Sequence, residues 1–200
     1  LYCAFGIVCA LQSRVKTGKG QKVEASLTSS LISMMAYLSS ESFVTGKAPN
    51  KSGNNHPILA PYGIFKTSDG EIAVAPASDK FCSIFLECID LTSLLENELY
   101  KNNSNRMKNR DSLNEILNKR MIYETSDYWI KKLNKAGCPA AKIVSLPEAL
   151  NSQLIQDNEM VINSDGPEGR QIKMTGFPVK LSDTPSKLYR SPPLLLSLIH

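Results

Sequence analysis

Residues 18–27 read GKGQKVEASL, and their two glycines separate a predicted helix from a short predicted strand. Residues 1–15 are mostly apolar and turn polar from Gln12, which predicts a buried helix that ends at the glycines. Residues 21–26 alternate in polarity, which predicts a strand. Residues 27–44 repeat Leu and Met at helical spacing, which predicts a helix with a core-facing side. The order helix, turn, strand, helix indicates part of an α/β layer.

Further along the chain, residues 46–57 are rich in Gly, Pro and Asn and predict a loop or linker. Two β-like runs around Ser-Asp-Gly, at residues 62–67 and 71–75, predict a hairpin. A second hairpin is expected from 160–163 and 171–175, around a turn at 165–169. The remaining expectations are a helix capped by Ser78 and Asp79, a charged helix over 105–121, a helix capped by Ser126 and Asp127, a strand over 140–144 and a short helix opened by Pro147.

Composition bounds the function classes that this chain can serve. Hydrophobic residues make up 42% and charged residues 21% of the 200 residues, which is typical of a globular protein and excludes a disordered or fibrous one. The net charge of +4 is spread along the chain, so we expect no nucleic-acid partner. No apolar run approaches the roughly 20 residues of a membrane-spanning helix, so we expect no membrane association either.

The five cysteines form no C-x-x-C pair, which argues against a disulfide framework and against a zinc site. Each lies in an apolar context, so we expect reduced cysteines in the core. Only His56 and His200 could join them at a metal, and we expect no metal. The chain begins at Leu1 inside an apolar helix and ends in an apolar stretch, which leads us to expect part of a longer protein.

Four motifs, in chain order, resemble those of the family III CoA-transferases, which include formyl-CoA transferase and carnitine CoA-transferase. Residues 18–27 resemble the family's G-x-G-Q-x-V-x-x-S-L turn and strand. Residues 57–70 resemble its P-x-x-x-P-Y-x-x-F-x-T-x-D-G stretch. The third motif is Trp129 and Leu133 with residues 137–140, and the fourth is residues 177–182 with Pro192 and Pro193. Each motif is common alone, but four in this order over almost the whole chain form a joint signal.

The resemblance implies a fold and an assembly. Family members have a Rossmann-like, doubly wound large domain and a smaller α+β domain, and two subunits interlock. The fold class implied here is therefore α/β, with part of that large domain plus the smaller domain. Residues 1–46 would end the large domain, residues 47–150 would form the small α+β domain, and residues 151–200 would lead back to the large domain. The implied state is a cytoplasmic homodimer.

The resemblance also implies a reaction. A family III enzyme moves CoA from an acyl-CoA donor to a free carboxylic acid through an aspartyl-CoA thioester, with CoA as substrate and no cofactor. The family's nucleophilic aspartate would lie just upstream of Leu1, so no catalytic residue is assigned in this chain. Two alternatives remain open: a 2-methylacyl-CoA racemase of the same architecture, and a binding or assembly module without chemistry.

Candidate substrate-binding residues come from the loop that corresponds to the glycine-rich loop of formyl-CoA transferase. Gly53 permits unusual backbone angles, Asn54 and Asn55 offer amide donors, and His56 can donate or accept. This loop is predicted to close over the acyl groups, with an interdomain linker as the alternative. Tyr62 is a further candidate for an acyl pocket, although packing is the favoured interpretation. Asp69 is expected at a turn without a catalytic role, and five basic residues are expected on one solvated helix face: Arg106, Lys108, Arg110, Lys119 and Arg120.

Overall fold

The computed structural model describes residues 1–166 and 169–189, and its central region is a three-stranded antiparallel sheet covered by helices. The predicted hairpin forms this sheet's first pair, β1 (Gly63–Lys66) and β2 (Glu71–Val74), with Phe65 opposite Ile72. Strand β3 (Ala140–Lys142) pairs antiparallel with β2, which confirms the strand expected over 140–144.

Helices pack on this sheet because they present apolar faces to it. They are α4 (Asp79–Cys88), α5 (Asn103–Lys108), α6 (Arg110–Met121) and α7 (Ser126–Lys135), with a 3₁₀ turn at Thr92–Leu95. Ser78 caps α4 by accepting from the Phe81 N–H, as expected, whereas Thr125, and not Ser126, caps α7. The largest fully buried side chains include Trp129, Phe65, Phe85 and Leu133. All the buried hydrophobic residues among those described lie between Ala60 and Cys138.

Three helices precede this region: α1 (Tyr2–Thr17), α2 (Leu27–Met34) and α3 (Tyr37–Thr45). Helix α1 ends at Gly18 in the left-handed conformation with φ 71°, as the glycines predict. The expectation of burial was wrong, because no residue of these three helices is buried within this chain. The predicted strand at 21–26 is also absent from the described residues, since no neighbouring strand is there to pair with it. The single helix predicted over 27–44 is two helices, separated around Ala36, whose φ of 46° is incompatible with a continuous helix.

The last described part is helical and then β. Helix α8 (Leu146–Asn151) starts with a capping box between Ser145 and Glu148, and Pro147 lies in its first turn. Helix α9 (Gln153–Asp157) follows. Strands β4 (Val161–Asp165) and β5 (Gln171–Thr175) then pair antiparallel and confirm the second predicted hairpin. The turn residues Pro167 and Glu168, the paired Pro192 and Pro193, and residues 194–200 with His200 lie outside the described residues.

The five cysteines differ in burial between the central region and helix α1. Cys82, Cys88 and Cys138 are free and buried, as expected, but Cys3 and Cys9 on α1 are exposed, which corrects the expectation of five core cysteines. In residues 1–166 and 169–189, no group of three or more His, Cys, Asp or Glu side chains is arranged to hold a metal. None of the helices in that part of the chain has the length and apolar character needed to cross a bilayer.

Candidate functional site

The candidate loop, here residues 52–60, begins with a tight turn that is attached to the first strand. Gly53 has φ 56°, in the left-handed region, and the N–H of Asn55 donates to the carbonyl of Ser52 at 3.0 Å. Asn55 then forms an antiparallel bridge with Gly63. A glycine is needed at 63 because a Cβ there would lie 2.9 Å from the backbone carbonyl oxygen of Asn54. The loop is therefore seated against the beginning of β1.

His56 lies between two tyrosine rings. Its ring stacks on Tyr62, with centroids 4.7 Å apart, and on the other ring partner, Tyr37 of α3, at 5.9 Å. The backbone N–H of His56 donates to the carbonyl of Tyr62 at 2.8 Å. Two of the predicted site residues, His56 and Tyr62, are thus in direct contact. Tyr37 joins them from a helix that sequence reasoning had assigned only to packing.

The protonation of His56 is set by its surroundings. Partial burial lowers the pKa of His56, and the nearby positive charge of Arg110 lowers it further. The ordinary pKa of a histidine is already about 6.5, so the ring is neutral at pH 7. Nδ1 accepts a hydrogen bond from the Ile58 N–H at 3.3 Å. The proton of the neutral ring is therefore on Nε2, which can donate to a ligand oxygen.

Four polar side chains on one face of α5 and α6 bind the loop through hydrogen bonds. Asn103, Arg106, Arg110 and Asn114 follow one another at intervals of three and four residues, the spacing at which helical side chains share a face. All four make hydrogen bonds to residues between 55 and 60. The structure thus ties this part of the loop to α5 and α6 at several points.

The first two of these side chains hold the C-terminal part of the loop. Nδ2 of Asn103 donates to the carbonyl of Ile58 at 2.9 Å, and its Oδ1 accepts from the Ala60 N–H at 3.0 Å. Nε of Arg106 donates to the carbonyl of Ala60 at 2.5 Å. Arg106 is only 3% exposed and also forms an ion pair with Asp79. Its guanidinium is therefore buried and has a structural role, because it joins the loop to α4.

The other two hold the part that carries His56. Nη2 of Arg110 donates to the carbonyls of His56, at 2.7 Å, and Leu59, at 3.2 Å. Nδ2 of Asn114 donates to Oδ1 of Asn55 at 3.1 Å. Together these contacts fix the backbone of His56 and the side-chain amide of Asn55.

The expectation of a solvated basic face was therefore wrong for two of its members. The predicted single helix is divided at Asn109, which ends α5 and begins α6. Arg106 and Arg110 face the loop, because its carbonyls need donors once they leave water. Lys108 and Lys119 remain exposed, whereas Arg120 is half-buried and pairs with Asp90. A cavity of about 520 Å³ lies beside the loop, lined by Lys51, Ser52, Pro57, Lys108, Arg110 and Ser112 among others.

The remaining candidate residues make fewer contacts with His56 and its neighbours. Gly53 and Asn54 are exposed at the tip of the turn, and no other atom lies within 4 Å of the place where a Cβ of Gly53 would be. Asp69 has a structural role, as expected: its Oδ1 accepts from the N–H and hydroxyl of Ser126, at 2.7 and 2.8 Å, and so joins the hairpin turn to α7. Chemically, the site offers hydrogen-bond donors and aromatic walls for binding and orienting a ligand.

Sequence similarity gives this arrangement a family. The sequence pattern of CoA-transferase family III matches residues 1–196. The chain belongs to CoA-transferase family III. This confirms the resemblance found in the four motifs. A CaiB/BaiF family protein from Brucella suis has a similar fold, with a TM-score of 0.72 and 29% identity over 97% of this chain and 51% of that one. The mixed α and β architecture with small sheets is consistent with that fold.

Curated relatives are named for CoA transfer. Acetyl-CoA:oxalate CoA-transferase of Acetobacter aceti is 29% identical over 182 residues, which cover 91% of this chain and 45% of the relative. Succinyl-CoA:glutarate CoA-transferase of Homo sapiens is 28% identical over 195 residues, covering 98% and 44%. The chain spans about half the length of the curated relatives that it matches.

The sequence analysis did not identify five neighbours of the loop: Tyr37, Asn103, Arg106, Arg110 and Asn114. The polar residues at intervals of three and four along 103–114 were a usable signal, because a face of Asn and Arg can satisfy an adjacent irregular backbone. The contact between Tyr37 and His56 had no sequence signal, since the two residues belong to different elements and no local rule relates them.

Proposed function

We propose that the complete protein of which this chain forms part is an enzyme that transfers CoA from an acyl-CoA donor to a free carboxylic acid. The observation that carries this proposal is the family match over residues 1–196, together with relatives named for that reaction over more than nine-tenths of this chain. The relatives named above are transferases, so they lend no support to the racemase or to a module without chemistry. CoA is substrate in this proposal, and no cofactor is invoked.

The proposed chemistry uses an aspartate from outside these 200 residues. Its carboxylate attacks the donor thioester carbonyl, the CoA thiolate leaves, and a mixed anhydride forms. The thiolate then attacks the aspartyl carbonyl, which releases the donor's acid and forms an aspartyl-CoA thioester. The acceptor carboxylate attacks the aspartyl carbonyl of that thioester and expels the CoA thiolate, which leaves a second mixed anhydride. The thiolate then attacks the acceptor's carbonyl in this anhydride, which gives the new acyl-CoA and releases the aspartate carboxylate. Covalent catalysis of this kind divides one difficult exchange into easier steps.

In this scheme the loop contributes binding, not bond making. His56 would donate from Nε2 to an oxygen of the acyl group or acid, where negative charge develops during each attack. Asn54 and the turn around Gly53 would close over the acyl groups, while Asn55 stays bound to Asn114 and Tyr62 forms a wall. Because the anhydride and thioester react with water, a covered site protects them.

The proposed organisation follows the family's. Residues 1–46 would belong to the Rossmann-like large domain, residues 47–150 to the small α+β domain, and residues 151–200 to the return towards the large domain. The apolar faces of α1 to α3, exposed in this chain, would be covered by the rest of that domain or by a second, interlocked subunit. We propose a cytoplasmic homodimer that takes an acyl-CoA and a carboxylic acid as its two substrates.

The test is isotope exchange with the complete protein. Labelled free acid is incubated with its acyl-CoA, using a panel of dicarboxylic acids such as succinate, glutarate and oxalate, and label in the thioester is measured. We expect exchange with at least one acid, and an aspartyl thioester that hydroxylamine traps at a residue upstream of Leu1. Residues 1–200 alone should give no exchange. Exchange by residues 1–200 alone would contradict the upstream aspartate, and the absence of exchange by the complete protein with every acid would contradict CoA transfer.

A further inference from the structure

Arg110 differs from Arg106, which lies one turn before it on the same face. Arg106 has a bonded partner for Nε, Nη1 and Nη2: the carbonyls of Ala60 and Tyr100 and the carboxylate of Asp79. Nη2 of Arg110 donates to the carbonyls of His56 and Leu59 and also contacts Sδ of Met107 at 2.6 Å, while its buried Nε has no hydrogen-bond partner among the described residues.

This unpaired donor indicates what the position of Arg110 serves. A buried donor without a partner costs about 1–3 kcal/mol, so a side chain that only stabilised the fold would be expected to have all its donors paired. The Arg110 guanidinium is instead held where one nitrogen reaches two carbonyls of the loop. In this position Arg110 stabilises the loop conformation through Nη2, while its own Nε remains without a hydrogen bond.

The carbonyl that Arg110 binds belongs to the residue whose ring lies between Tyr37 and Tyr62. On one side of the ring, Nδ1 is occupied by the Ile58 N–H. In the described part of the chain Nε2 makes no hydrogen bond to the protein. The backbone anchor and the Nδ1 contact together leave the ring one direction in which Nε2 can donate.

We propose that Arg110 is a positioning residue, which fixes the backbone of His56 so that the Nε2–H of its imidazole donates to an oxygen of the acyl group or acid. This inference rests on the proposed CoA transfer and adds a residue to its machinery. Arg110 itself does not touch the substrate; it acts through His56. The loss of exchange activity on removal of Arg110 should therefore depend on whether residue 56 still carries a donor.

A double-mutant cycle on the complete protein tests this dependence, since coupled residues give non-additive losses. His56→Phe keeps a stacked ring but removes the donor, and should lower kcat/KM for CoA exchange about tenfold to a hundredfold. His56→Gln, which can place an amide N–H near the Nε2 position, should recover part of that loss. Arg110→Met should cost about tenfold alone, and less than about twofold in the His56→Phe background.

Two further variants keep the result interpretable. Arg110→Lys retains the charge and one donor, so it should lose less than Arg110→Met, and its loss should also vanish beside His56→Phe. Arg110→Lys replaces Arg110→Met in the cycle if the Met variant does not fold. The matched control is Arg120→Met, which removes a guanidinium from the same helix, where Arg120 pairs with Asp90 at 2.6 Å. Its kcat/KM should equal the parent's in both backgrounds.

Full loss on Arg110→Met in the His56→Phe background would overturn the inference, because Arg110 would then act independently of His56. Full activity of His56→Phe would overturn it too, while exchange by the parent would still support CoA transfer. A parent without exchange activity would overturn the proposed function and this inference together.

Discussion

Two regions of this chain contain abundant apolar residues and use them differently. Between Ala60 and Cys138 the apolar side chains form a core in which Trp129, Leu113 and Phe85 are fully buried. In helices α1 to α3 no residue is buried, and Phe5, Leu27 and Phe43 are between 69% and 85% exposed. The difference shows that an apolar helical pattern does not by itself produce burial, which requires partner surfaces from other parts of the protein.

The largest expected effect is in thiol reactivity, which compares the two regions directly. Cys3 and Cys9 should react with iodoacetamide in native residues 1–200, whereas Cys82 should react roughly a thousandfold more slowly, since its exposure requires unfolding. Burial also raises the pKa of Cys138 to about 12, which removes its reactive thiolate. Mass spectrometry of alkylated peptides gives each rate.

The complete protein is the control for this experiment. If the helices are covered there, Cys3 and Cys9 should become protected while Cys82 is unchanged. Equal rates for Cys3 and Cys82 in residues 1–200 would contradict the contrast between the regions.

A matched pair of leucine truncations should show the same contrast in stability. Leu133 is 0% exposed and Leu27 is 85% exposed. Leu133→Ala should lower the free energy of unfolding by about 2–5 kcal/mol, because it leaves a cavity in the core. Leu27→Ala should change it by less than about 0.5 kcal/mol. Urea denaturation followed by the fluorescence of Trp129 measures both, and similar losses for the two variants would show that α2 shares the core.

The smallest expected effect concerns the hairpin of the buried region. The Ser126 N–H, then the Ser126 hydroxyl, lower the pKa of Asp69, and the Thr67 hydroxyl lowers it further. A depressed pKa in the folded state means that the carboxylate stabilises the fold above its unfolded pKa of about 3.9, and that this contribution is lost as pH falls through the folded pKa. Asp69→Asn should therefore be less stable than the parent at pH 7, with a smaller difference at pH 3.

The control for that change is Asp183→Asn. Asp183 is exposed and accepts a hydrogen bond from the neighbouring Ser182 hydroxyl at 2.9 Å, with no helix attached to it. Its stability should match the parent's at both pH values in the same urea titration. A pH-independent difference for Asp69→Asn would contradict the assignment of its stabilising effect to the ionised carboxylate.

Local sequence was sufficient to predict the features that depend on a few neighbouring residues. Gly18 ends α1, Ser78 caps α4, and the Ser-Asp-Gly turn brings β1 and β2 into register, because each depends on local backbone angles and hydrogen bonds. The four motifs also determined the family. Local rules predicted the loop around Gly53 as well, but not what holds it.

The folding of the chain as a whole sets which surfaces meet. It placed Tyr37 beside His56, turned Arg106 and Arg110 towards the loop, and left the apolar side of α1 exposed. Burial and the pairing of a buried donor depend on atoms that come from distant parts of the chain. A periodic pattern can specify that a helix has an apolar or basic face, but it carries no information about what that face will contact.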